Sequence, residues 1–129
     1  MQPEEMTEAQ LLDAILNLCQ ERDLWPVRIE PGRFNQRGAK NRGFPDLMVF
    51  GPGGVLFREL KTMAGNGIGR GPNPAQSRWK HRLLSGGHDW AVWTPADLAS
   101  ERIEEELSDV ETSDEHSDKF SLAMARDVE

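Results

Sequence analysis

Apolar and polar positions change their period along this chain, and the changes mark its elements. From Thr7 to about Arg22, the residues Leu11, Leu12, Ile15, Leu18 and Cys19 recur at helical spacing and form one apolar stripe. Thr7 is placed to cap that helix, with Gln10 as its capping-box partner. Leu24 to Ile29 alternates like a strand, Trp25, Val27 and Ile29 against Pro26 and Arg28. Two runs rich in Val, Leu and Phe then flank Gly51-Pro52-Gly53-Gly54. This predicts a hairpin within Gly43 to Lys61, because glycine accepts positive φ and proline fixes one turn angle. Asn73-Pro74 with Gln76 is a second helix start, for a helix running to about Ser85 and stopping at Gly86-Gly87. Trp90 to Trp93 is a short strand. Thr94-Pro95-Ala96-Asp97 caps a last helix to about Leu107, burying Leu98, Ile103 and Leu107. The order predicts an α/β fold, a central mixed sheet flanked by helices.

Composition bounds this picture. The 129 residues fit one domain, placed at residues 1–107, with an acidic segment at 108–129. Acids, Ser and Thr dominate that segment, so it is expected to be disordered, with a weak helix near Phe120 to Arg126. No run approaches the roughly 20 apolar residues of a membrane span. The N-terminus is acidic and polar, unlike a signal peptide, and the single Cys19 has no internal disulfide partner. These features predict a cytoplasmic protein.

The net charge of −7 is unevenly spread. Residues 101–129 carry a net −8, whereas Arg22 to Arg82 holds 12 basic and 4 acidic residues. Two of those four acids are Asp46 and Glu59. A basic field around a small acidic focus attracts a polyanion and leaves a cation site at its centre. A solvated basic surface accounts for the same composition.

The hairpin carries charge where a plain one would be apolar. Asp46 opens its first strand. Glu59 and Lys61 lie two apart on the second, so they share a face with Val55 and Phe57, and that face is expected to be buried. Unpaired buried charge is expensive. A divalent cation held by Asp46 and Glu59, with a substrate phosphate, would account for it.

Pro45-Asp46 followed by Glu59-Leu60-Lys61 resembles the signature of the PD-(D/E)XK nuclease superfamily. The longer series Gly43-Phe44-Pro45-Asp46-Leu47, Phe57-Arg58-Glu59-Leu60-Lys61, Ala75-Gln76-Ser77-Arg78-Trp79 and Val92-Trp93-Thr94-Pro95-Ala96-Asp97 resembles its VRR-NUC branch, found in phage and bacterial genomes. The resemblance spans about Thr7 to Leu107. It implies a restriction-endonuclease-like core, in a bacterial or phage-infected host cell, and metal-dependent hydrolysis of DNA phosphodiesters. Asp46, Glu59 and the Leu60 carbonyl would hold Mg²⁺ or Mn²⁺, hard cations suited to oxygen ligands. Lys61 would orient the attacking water and stabilise the transition state. Gln76 would bind a phosphate or a water of the site, although its capping box explains it nearly as well. Glu8 would reach the site from the first helix, or only favour the helix N-terminus. Members of this branch include enzymes of branched DNA, often dimeric, so branched DNA and a homodimer follow as expectations.

Other cations are candidate phosphate contacts. Arg33, Arg37, Lys40 and Arg42 lie in the loop of residues 31–42, Arg70 in the glycine-rich stretch of residues 65–71, and Arg78 and Lys80 on the second helix. Trp79 is expected in the core, and His81 and His88 at the surface. A second reading is a non-catalytic DNA-binding accessory that keeps the nuclease fold. A third is an interaction protein acting through its acidic segment, for which a solubilising role is the plainer explanation.

Overall fold

The computed structural model describes residues 2–29, 43–63 and 74–112. A 3-10 turn at Pro3–Glu5 leads into α1 (Glu8–Glu21), followed by β1 (Trp25–Arg28), β2 (Leu47–Gly51) and β3 (Gly54–Leu60). Then come α2 (Pro74–Ser85), β4 (Asp89–Trp93), α3 (Pro95–Ala99) and α4 (Arg102–Glu111). The fold is mixed α/β. Its sheet has order β1-β2-β3-β4, antiparallel across the first two pairs and parallel between β3 and β4. A parallel pair needs a crossover, and α2 lies within it.

Local chemistry explains the element ends. The Gln10 N–H donates to Thr7 Oγ1 (3.1 Å) while the Thr7 N–H donates to Gln10 Oε1 (2.9 Å), a complete capping box. Thr94 and Asp97 repeat that arrangement before α3. The β2–β3 turn is the pair Pro52-Gly53, because Gly51 and Gly54 are cross-strand partners.

The core lies on one face of the sheet. Leu47, Val49, Leu56, Leu60 and Trp93 pack there against Leu11, Leu12, Ile15 and Cys19 of α1 and Ile103, Leu107 and Val110 of α4. The sequence pattern points to the face of Val55, Phe57 and Glu59 instead. That face is also covered at Phe57 and Glu59, but the main core sits behind it. Phe44 joins the second layer, its ring 4.8 Å from Trp79 of α2 and 6.2 Å from Phe57, both edge-on. Trp79 therefore packs inward, as expected.

Burying both faces of β3 also buries Arg58, which is 1% exposed. Its guanidinium donates to Glu106 Oε1 (2.9 and 3.2 Å) and to the Asp89 carbonyl (2.8 Å), and pairs with the Asp89 carboxylate (3.0 Å). Trp93 Nε1 donates to the same Glu106 oxygen (2.7 Å), and Arg102 Nε holds the other (2.6 Å). A buried cation is tolerated when its donors are satisfied in this way.

The C-terminal helix departs from expectation. It is two helices, broken at Glu101, whose φ of +68° is left-handed. The break lets α4 turn so that Ile103, Leu107 and Val110 all reach the core. It runs to Glu111, and the Gly53 N–H donates to the Val110 carbonyl (2.9 Å), so folded chain continues past the expected boundary at Leu107. Its acids are partly structural, since Glu104 and Glu111 flank Arg22 of α1 at 3.6 and 3.9 Å. Residues 113–129 lie outside the described residues. Among the described residues, no helix is long and apolar enough to cross a membrane.

Candidate functional site: a carboxyl pair beside Lys61

Asp46 stands immediately before β2, one residue ahead of the strand it was expected to open. The β2–β3 register pairs Leu47 with Arg58, so one further step sets Asp46 opposite Glu59. The Leu60 N–H donates to Asp46 Oδ2 (2.9 Å), tying the carboxylate to the end of β3. The Asp46 and Glu59 carboxyl groups are themselves hydrogen-bonded. Glu59 is only 5% exposed. Its Oε2 is buried without a hydrogen-bond partner among the described residues.

These surroundings push the Glu59 pKa up from 4.5 to about 10. Burial is the largest cause, then the hydrogen bond and negative charge of Asp46; Lys61 acts in the opposite sense, and Glu8 adds a smaller upward push. Burial and the neighbouring negative charge thus oppose ionisation of Glu59 near neutral pH. Glu8, on the first turn of α1, is near enough for its charge to be felt at Glu59 although the residue is exposed.

Lys61 Nζ donates to Gln76 Oε1 (3.3 Å), which links the end of β3 to the first turn of α2. Gly43 makes that approach feasible. A Cβ there would lie 2.4 to 2.6 Å from the backbone of Ala75 and Gln76, and its φ is +84°. Only glycine allows the segment before Asp46 to pass so close to α2. This role escapes a reading of the sequence, which offers only a glycine two residues before Pro45.

Asp46, Glu59, Lys61 and Gln76 thus converge, with Glu8 at the margin. Two carboxylates, one of them with an oxygen (Glu59 Oε2) buried without a partner among the described residues, are donors suited to a hard cation. Mg²⁺ typically takes one or two protein carboxylates and completes its shell with water and substrate. Among the described residues there is no group of three or more His, Cys, Asp or Glu placed to hold a metal.

The expected DNA contacts divide. Arg78 is exposed on α2. Lys80 is one turn beyond Gln76, and its ammonium sits 5.0 Å over the Trp90 ring of β4. Arg33, Arg37, Lys40, Arg42 and Arg70 lie outside the described residues. His81 and His88 are exposed, as expected, and the His88 ring packs edge-on at 5.4 Å from Phe57. Comparison of the chain with protein families, curated proteins and solved structures finds no match.

Proposed function

We propose that this chain is a metal-dependent DNA endonuclease with a restriction-endonuclease-like core of the PD-(D/E)XK, VRR-NUC-like kind. One observation carries the reading: the Glu59 carboxyl is buried beside the half-buried Asp46 carboxyl and Lys61, and one of its oxygens has no partner among the described residues. As a structural device this costs stability. A cation site would explain it, because a divalent ion held there would displace the proton of Glu59 and satisfy its unpartnered oxygen.

Asp46 and Glu59, with the Leu60 carbonyl, would hold Mg²⁺ or Mn²⁺. A bound divalent ion would activate the attacking water and neutralise charge on the phosphoryl oxygens. Lys61, braced by Gln76, orients that water and stabilises negative charge as the phosphorus–oxygen bond to the leaving strand breaks. Glu8 adds negative charge at the rim. The basic stretch between Arg22 and Arg82 draws the DNA backbone to this focus. With no further described module to read bases, selection by DNA structure, including branched forms, is the fitting mode.

The test is cleavage of labelled linear, single-stranded, flap and four-way-junction DNA with Mg²⁺ or Mn²⁺, beside Lys61→Ala. The expected result is metal-dependent cutting of at least one substrate that disappears in the variant. Equal DNA binding by both proteins without any cutting would leave a non-catalytic accessory as the better reading.

A further inference from the structure

On the sheet face away from the core, Trp25, Val27 and Phe50 are 74%, 42% and 40% exposed. They form one patch, because Trp25 is the cross-strand partner of Phe50, and Val27 follows two residues along the same face. Exposed apolar residues gathered on one surface usually mark an interaction site.

The edge of β1 is poorly suited to recruit another strand. The Ile29 N–H donates inward to the Asp46 carbonyl (2.9 Å), so by alternation Pro26 and Arg28 present their backbone outward. Pro26 has no N–H to give. An occupant must therefore lie on the face rather than extend the ladder.

The chain supplies a candidate at the right place. The described residues end at Thr112, packed on the β2–β3 turn: a Cβ on Gly53 would lie 2.6 Å from the Thr112 carbonyl. Trp25 and Phe50 lie at that same end of the sheet, one pair from Gly51. Beyond Thr112, Phe120, Leu122 and Met124 alternate with Ser121 and Ala123. If this stretch docks as an extended chain rather than as the weak helix expected from its sequence, all three project from one side, at the two-residue spacing of Trp25 and Val27. Residues 113–119 span up to roughly 25 Å when extended. Rounding the turn from one layer to the next needs on the order of 10 Å.

We infer that the segment Phe120–Met124 of this same chain docks on the Trp25–Val27–Phe50 face. Tethering favours it over a second copy, because the segment is held at high effective concentration while two chains of net charge −7 repel.

The test uses the full chain with Ala123→Cys carrying a nitroxide label. Cys19 is fully buried, and burial pushes its thiol up to about 11, so it stays unlabelled. The amide signals of Trp25, Val27 and Phe50 should lose most of their intensity, and Phe120→Ser with Leu122→Ser should restore it. Unchanged signals in β1 and β2 would overturn the inference. So would a loss seen only when labelled chains are mixed with separate isotope-enriched chains, which would assign the face to a second copy.

Discussion

Burial and the neighbouring Asp46 charge oppose ionisation of Glu59. Below pH 4.5 its carboxyl is protonated whether the chain is folded or not, and it costs nothing. As pH rises from 4.5 toward about 10, the unfolded chain loses that proton while the native state keeps it. The native state is therefore progressively disfavoured across this window. In metal-free buffer, Glu59→Gln should be more stable than the parent at pH 8, by on the order of a few kcal/mol, and the gap should close near pH 4. Equal pH profiles for the two proteins, measured by thermal unfolding, would count against a raised Glu59 pKa. On the proposed function Lys61 is a different kind of residue, since its charge would act on the substrate. Lys61→Ala should lower cleavage by about 10²–10³-fold, the usual effect of removing one preorganised donor, with little change in DNA affinity by fluorescence anisotropy.

At the scale of elements, the site depends on how β3 meets α2 and α4. Gly43→Ala forces a Cβ into the Ala75–Gln76 backbone at a left-handed φ. It should cost more than about 1 kcal/mol and separate Lys61 from Gln76, so urea unfolding and cleavage should both suffer. Behind the sheet, burial opposes ionisation of Glu106, but hydrogen bonds from Trp93 and Arg102 and the Arg58 charge hold its pKa below the usual range. Glu106→Ala would leave the buried Arg58 guanidinium with Asp89 as its one carboxylate partner among the described residues and should cost about 3 kcal/mol in the same unfolding measurement. Much of this level was legible in the sequence. Capping boxes at Thr7 and Thr94, the Pro52-Gly53 turn and the stop after Ser85 are local signals, and each element begins or ends near them. The break at Glu101 was not, because a left-handed glutamate leaves no mark that glycine would. Nor was the burial of Arg58: alternation places a strand arginine outside, and only a helix layer on each side of β3 reverses that.

At the scale of the whole molecule, charge is segregated, with a basic middle and an acidic C-terminal part, of which α4 belongs to the fold. The convergence of Asp46, Glu59 and Lys61 was legible because hairpin register and two-residue alternation are short-range rules. Glu8 and Gln76 arrive from distant helices, so only a resemblance could nominate them. If Arg33, Arg37, Lys40 and Arg42 hold the DNA backbone, replacing all four with Gln should weaken binding similarly for every sequence. It should also flatten the dependence of log affinity on log salt by about 1 for each phosphate no longer neutralised. The central claim is that the Asp46–Glu59 pair is a cation site, and it can be tested without knowing the preferred DNA. The measurement is a calorimetric Mn²⁺ titration of the parent protein beside Glu59→Gln at pH 8, in two buffers of different ionisation enthalpy. The parent should bind one ion with release of close to one proton, and the variant should lose both. A parent that binds no Mn²⁺, or a variant that binds it equally well, would contradict a cation site at Asp46 and Glu59.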